Sequence, residues 1–186
     1  MSVKDKKRGR PRGSGNQLSS EAIMEIAKDL MKQEGKIPSI RKLAASLDVD
    51  AMAIYYYFEN KNKLLEAITT SLVKEIYLPQ ESANWESELQ ALCASYLKLL
   101  SDYPGLLETL LSMKVEGPAG VFAERFMAVI KPLELSDESS TDALHLLVDY
   151  LHGFALAMSC NDDKQKLNVG MIEGSLNMYC IAIKNA

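Results

Sequence analysis

Cysteine is scarce in this sequence and nowhere arranged for chemistry. Cys93, Cys160 and Cys180 are odd in number and far apart, with no C-x-x-C pair and no zinc-ligand spacing. They read as reduced, packed thiols, which excludes a disulfide framework and a zinc finger. Long apolar runs are also missing. No stretch of about 18 apolar residues could span a bilayer, and no apolar segment of a secretory signal follows the basic N-terminus. A cytoplasmic chain without membrane contact is expected. The signatures of catalysis are absent too: G-x-S-x-G, H-E-x-x-H, the P-loop and G-x-G-x-x-G do not occur, and neither histidine has a serine or cysteine beside it. No catalytic residue, metal or cofactor is expected. An enzyme assembled from residues distant in sequence stands as an alternative. Alternating strand patterns of useful length are lacking, so the expected class is all-α.

What is present is enough for a small domain joined to a larger one: 186 residues, 47% hydrophobic and 25% charged. The net charge of −4 conceals a division. Residues 1–61 hold 12 Lys and Arg against 8 Asp and Glu, whereas residues 62–186 hold 9 against 17. The N-terminal part is therefore at +4 and the remainder at −8. A basic module can displace counterions from a phosphate backbone that an acidic one would be repelled by. A solvated basic tail would carry the same charge, so the motifs must decide.

Residues 1–17 are rich in Lys, Arg, Gly and Ser and have almost nothing to bury, so they read as a basic arm. From Leu18 onward apolar residues recur at the helical period through Met31, with Ser19 or Ser20 as N-cap and Gly35 as stop. Ser39 caps a short second helix whose Ile40, Leu43, Ala44 and Leu47 share a face. Asp48-Val49-Asp50 interrupts it, and a third helix is expected from near Asp50 through Tyr57. Asn60 caps a fourth, limited by Pro79. Five more helices are expected at roughly 84–102, 104–114, 118–131, 137–160 and 164–184. The reading divides the chain into the arm, a helix-turn-helix domain over 18–62 and a helical domain over 63–186.

The run from Ser39 to Phe58 is two short helices about a tight turn. Ala44 and Ala45 allow a close crossing, and Val49, Ile54 and Phe58 face inward. With Glu59-Asn60-Lys61-Asn62-Lys63-Leu64-Leu65 it resembles the TetR-family DNA-binding domain, whose hallmark is a tyrosine-rich recognition helix followed by a Phe and then a Lys at the next helix start. The likeness covers about residues 18–68 and departs at Asp48, where the family usually has Gly; Asp tolerates a left-handed backbone better than most residues. The resemblance implies a homodimeric transcriptional regulator that holds a double-stranded DNA operator, most often a repressor released by a small-molecule ligand. It places Ala51, Met52, Ala53 and Tyr56 nearest base edges in the major groove. Tyr55 and Tyr57 would lie near phosphates or partly buried, and packing of either against the first helix is the plainer alternative. Arg41 would meet a base or phosphate, flanked by Ser39 and Ile40, and Lys61 a phosphate.

In the arm, Lys6-Lys7-Arg8-Gly9-Arg10-Pro11-Arg12-Gly13 resembles an AT-hook, whose arginines, here Arg8, Arg10 and Arg12, can lie in a narrow A·T-rich minor groove. An electrostatic tether is the alternative. For a ligand pocket the C-terminal half offers Tyr96, Leu99, Tyr103, Met113, Phe122, Phe126, Met127 and Met158, any of which could equally be core. Tyr103-Pro104-Gly105 and Asp149-Tyr150-Leu151-His152 look like segments of one class of TetR C-terminal domain. His145, Asp149 and His152, at i, i+4 and i+7, share a helix face and join the pocket candidates; a satisfied network or a dimer contact is the plainer reading of the three, and a metal the lesser one. Residues 140–158 and 167–183, the latter containing Gly170 and Gly174, are expected to form the dimer interface. An architectural DNA binder without a ligand is the competing DNA-binding function.

Overall fold

The computed structural model describes residues 18–82, 84–113, 117–161 and 167–186. Among these residues the architecture is all-helical. Three helices come first: α1 (Ser20–Glu34), α2 (Ile40–Ser46) and α3 (Ala51–Tyr55). Each begins where the sequence supplies a side-chain acceptor. Ser19 Oγ accepts from Ala22 N at 3.1 Å, Ser39 Oγ from Lys42 N at 3.2 Å and Asp50 Oδ1 from Met52 N at 2.8 Å. Gly35, at φ 65°, ends α1 in the left-handed conformation that glycine adopts without penalty.

α4 (Lys61–Val73) carries Asn60 as its cap and buries Leu64, Ile68 and Leu72 along one side. α5 (Trp85–Asp102) is the axis of the larger half. It buries residues on all sides, among them Leu89, Leu92, Cys93, Tyr96, Leu97 and Leu100, because α7 (Gly117–Ile130), α8 (Asp137–Ser159) and α9 (Glu173–Lys184) all pack around it. The short α6 (Leu106–Ser112) packs against α8. No described helix is long and apolar enough to cross a membrane.

Three boundaries and one burial differ from the periodicity reading. The third helix stops at Tyr55, two residues early, and Tyr56 to Asn60 form turns; its short length lets the chain swing into α4. The fourth stops at Val73, well before Pro79, and Arg125 takes the carbonyls beyond it. The last helix starts at Glu173 behind a 3-10 turn at Val169–Ile172, whose cap, Asn168, accepts from Gly170 N at 3.0 Å. Gly170 thus lies outside the helix interior. Finally, Cys93 and Cys180 are buried but Cys160 is exposed just past the end of α8, so only two of the thiols are packed.

Besides the packing of α1 on α4, the N-terminal helices meet the larger half through two polar or ring contacts. Lys28 of α1, buried to 6% exposure, reaches Glu75 at 2.6 Å and Glu25 at 3.2 Å. Burial alone would lower its pKa, yet the two carboxylates hold it above its ordinary value. At the end of α1, the Lys32 ammonium sits 4.8 Å from the centre of the Tyr103 ring, and Gly35 lies against Pro104.

Candidate functional site

The turn between α2 and α3 is tight because Val49 N donates to Ala44 O at 3.0 Å and Asp48 takes φ 52°. A left-handed backbone at the position where the family usually has glycine is what the sequence required of Asp48. Ile54 is fully buried and Phe58 nearly so, and α3 packs against α2. Ala44 is buried at the crossing, while Ala45, also expected there, is exposed.

The outward face of α3 is unusually apolar for a surface. Met52 is 71% exposed and Tyr56 86%, with Ala53 half-buried between them and Ala51 partly packed on the core. Tyr55 is exposed to solvent. Tyr57 is tied down: its hydroxyl donates to Leu18 O at 2.5 Å, joining it to the start of α1, and its ring meets Tyr56 edge-on at 5.3 Å. It therefore fixes Leu18 beside the end of α3. Arg41, on α2, and Lys61, at the first turn of α4, are exposed and form no ion pair with a described residue. Their neighbours do: Lys42 pairs with Glu34, and Lys63 with Glu66 at 2.8 Å. Ser39 is spent as a cap and Ile40 packs partly on the core, which leaves Arg41 and Lys61 as the available cations beside α3. Arg8, Arg10 and Arg12 lie outside the described residues.

The second feature is a cavity of about 510 Å³ within the larger half. Val73 of α4, Tyr96 of α5, Leu110 and Leu111 of α6, then Met113, contribute one side. Pro118, Ala119, Gly120, Phe122 and Ala123 of α7 and Leu144, His145, Val148 and His152 of α8 supply the other. Its size lies in the range that holds small-molecule ligands. Of the residues proposed from sequence for a pocket, the structure brings Tyr96, Met113, Phe122, His145 and His152 together. Phe126 and Leu99 are core, Tyr103 is buried beneath Lys32, and Met127 packs at the core's edge. Asp149 is exposed, and Met158 lines a separate, smaller hollow of about 290 Å³ beside Leu97 and Leu100.

Polarity in the cavity is concentrated in one pair. Tyr96 Oη and His152 Nε2 lie 2.8 Å apart, and the Tyr96 ring also rests on Phe122 with centroids at 4.8 Å. Burial lowers the His152 pKa below its ordinary value, partly offset by the charge of Asp149, and burial raises that of Tyr96. Asp149 bonds neither histidine, and among the described residues no three His, Cys, Asp or Glu side chains converge as a metal site would require.

The two features share α4. Its N-terminal turn presents Lys61, and its last residue, Val73, touches the cavity. α7, which forms much of the cavity wall, packs along α4 so closely that a Cβ on Gly117 would sit 3.1 Å from Thr70 Oγ1. Arg125 of α7 donates to Ile76 O at 2.6 Å, Lys74 O at 2.8 Å and Tyr77 O at 3.4 Å, closing the carbonyl end of α4. Sequence reasoning missed Arg125, although it is the sole arginine after Arg41 and stands in an otherwise apolar stretch.

A helix-turn-helix joined through a connecting helix to an all-helical half with an internal cavity is the architecture of a helix-turn-helix regulator. Residues 23–68 match the family of bacterial regulatory proteins named tetR, and residues 78–172 match the tetracyclin repressor-like C-terminal domain. The chain belongs to the TetR family. It is 26% identical over 148 residues to the HTH-type transcriptional repressor DrrR1 of Streptomyces coeruleorubidus, covering 77% of this chain and 55% of that protein. The chain spans about half the length of the curated relatives it matches. The fold is shared with the TetR family protein ActR of Streptomyces coelicolor in complex with (S)-DNPA, at TM-score 0.75 and 17% identity over 91% of this chain and 98% of that one. It is shared likewise with BioQ bound to its double-stranded DNA operator, at TM-score 0.73 and 19% identity over 91% and 100%.

Proposed function

We propose that the protein is a homodimeric, sequence-specific transcriptional repressor of the cytoplasm that leaves its DNA operator when a small molecule fills the cavity, and that it is not an enzyme. One observation carries the reading: an exposed apolar face on α3, flanked by the available cations Arg41 and Lys61, is joined by a single helix to a ligand-sized cavity. Met52, Ala53 and Tyr56 suit thymine methyls and base edges, while Arg41 and Lys61 suit phosphates. Tyr57 holds Leu18 beside this face, and the basic, AT-hook-like sequence of Arg8, Arg10 and Arg12 suits minor-groove contact next to a major-groove site. BioQ, of like fold, has been seen with its operator, and ActR with a small molecule.

Dimerisation is supported by the two long terminal helices. Met171, Gly174, Met178 and Ile181 recur at spacings of three and four, and Met178 and Ile181 are 74% and 66% exposed. Leu146, Gly153 and Leu156 lie along α8 in the same rhythm, and a Cβ on either Gly153 or Gly174 would meet nothing within 4 Å. Such stripes are costly in a monomer and suit a four-helix seam with a second copy.

The test is selection of bound duplexes from a random pool, followed by titration of the winner against scrambled DNA. A palindrome preferred by about a thousandfold or more is expected. A folded dimer that enriches no sequence would overturn the reading in favour of an architectural binder.

A further inference from the structure

The structure assigns the cavity an uncharged, flat aromatic ligand that carries a hydroxyl or comparable neutral donor and acceptor group at the Tyr96–His152 pair. The inference rests on the ligand-responsive reading above and specifies the ligand's chemistry.

Three observations lead there. First, among the described residues the cavity wall has no Asp, Glu, Lys or Arg; its polar side chains are Tyr96, His145 and His152. An ionised carboxylate or ammonium would enter without a counter-charge, and desolvating an unpaired ion is far costlier than desolvating a hydroxyl. Second, Tyr96 and Phe122 pack ring against ring at the edge of an otherwise aliphatic wall, and a wall of that composition favours a planar aromatic body over a sugar or peptide. Third, the Tyr96–His152 pair has a definite hydrogen-bonding capacity. Burial keeps the imidazole neutral at pH 7, so the phenol and the ring share one bond across 2.8 Å. If the phenol donates to Nε2, its oxygen can still accept and Nδ1–H can donate. If Nε2–H donates instead, the phenol proton and Nδ1 exchange those roles. In either tautomer one donor and one acceptor remain, the complement of a hydroxyl. His145, on the same wall seven residues earlier, stands about 10.5 Å away along the helix axis. A body of two or three rings spans that distance.

The experiment uses the full chain and three probes of one shape, differing at one position: 6-hydroxyflavone, flavone and flavone-6-carboxylate. Binding is measured by calorimetry at pH 7, and release of the selected duplex by fluorescence anisotropy. We expect 6-hydroxyflavone to bind most tightly, with the carboxylate weaker by about tenfold or more. Tyr96→Phe, which keeps the ring, and His152→Phe should each weaken 6-hydroxyflavone about three- to tenfold, the range of one lost hydrogen bond, and leave flavone unchanged. Ala123→Phe, which fills the cavity, should weaken all three, with helix content by circular dichroism confirming the fold. Equal or tighter binding of the carboxylate would overturn the inference. So would binding of none of the probes, or loss of flavone in step with 6-hydroxyflavone in Tyr96→Phe. Binding in the expected order without DNA release upholds the ligand class and overturns the repressor reading instead, so the two fail separately.

Discussion

Removing Arg125 isolates one junction between the cavity and α4. Its guanidinium is the external partner of three carbonyls just past the end of α4, with two strong bonds at 2.6 and 2.8 Å and a weaker one at 3.4 Å. Hydrogen bonds from a charged donor contribute about 1.5–3 kcal/mol each when their loss leaves a group unsatisfied. These carbonyls lie near the surface, and water can replace part of what is lost. Arg125→Met, which retains most of the aliphatic stem, is therefore expected to cost about 2–3 kcal/mol rather than the sum. In a chain of this size that is a fall in Tm of roughly 4–10 °C. Arg125→Lys keeps the charge but loses the two-pronged geometry and should fall between. The assay is thermal and urea unfolding by circular dichroism at one fixed protein concentration, since a dimer's stability depends on concentration. A Met variant within about 0.5 kcal/mol of the parent would refute the reasoning, because surface changes that touch nothing have effects of that size. The same variant should also reduce the ratio of operator affinities measured without and with bound 6-hydroxyflavone, because a wall helix no longer fastened to α4 transmits less of its displacement.

Four further outcomes are expected. Asp48→Gly should raise the urea midpoint by the equivalent of about 0.5 kcal/mol, since φ 52° suits glycine better than aspartate; a lower midpoint would show that the turn carries no strain. Arg41→Ala and Lys61→Ala should each weaken binding to all duplexes and reduce the slope of log affinity against log salt by about one, and unchanged slopes would remove both from the phosphate contacts. Deleting residues 1–14 should lower operator affinity and flatten its salt dependence; equal affinities at several salt concentrations would exclude an arm contact. The last concerns His152, faced by Tyr96 of α5 and by Asp149 and His145 of its own helix, whose folded pKa is depressed by burial. The unfolded chain takes up this proton first as pH falls below about 6.5, so stability should decline from there toward the lower folded pKa. His152→Phe should remove that part of the acid sensitivity, and an undiminished decline would assign it to other groups.

The N-terminal part was legible because its elements are specified by neighbours in sequence. Ser19, Ser39, Asp50 and Asn60 each cap the helix that follows within three residues, and the apolar period then says which face turns inward. The left-handed turn at Asp48 could be read in the same way, from one residue's conformational tolerance. The cavity could not. Tyr96, Phe122, Phe126 and Leu99 are all apolar or aromatic at helical spacing, and whether such a residue borders empty space or another side chain depends on how five helices pack. Ala119, Gly120 and Ala123 illustrate the difficulty, since they contribute by being small, and small residues in a helix carry no local mark of what they leave open. Boundaries failed where a distant residue decided them: α4 ends at Val73 rather than near Pro79, and Arg125, some fifty positions later, takes the carbonyls of Lys74 and Ile76 just beyond it.

That same bond gives α4 its mechanical character. A helix fastened at one point could rotate freely when its neighbour shifts, but the C-terminal part of α4 and the turn after it are held by several different elements. Lys28 of α1 holds Glu75 at one end, Thr69 meets Met113 at 3.6 Å in the middle, and α7 grips it at Gly117 and Arg125. Of these, only Lys28 belongs to the N-terminal helices; the others belong to segments that border the cavity. A ligand that pushes α7 outward must therefore either break the Arg125 bonds or carry the end of α4 with it. The second is the cheaper course, because the bonds lie on the C-terminal side of Val73 where the chain is no longer helical and can follow. Since Glu75 lies in that same stretch, the displacement reaches α1 through Lys28, and α1 carries α2, against which α3 is packed. The Lys28–Glu75 pair, beside the direct packing of α1 on α4, is then one route by which motion at the cavity would pass to the recognition face. Lys28→Met with Glu75→Gln, which keeps both groups neutral and avoids an unpaired buried charge, should leave the fold and operator affinity near those of the parent while weakening release by 6-hydroxyflavone. Release at the parent's ligand concentration would place the coupling in α4 itself.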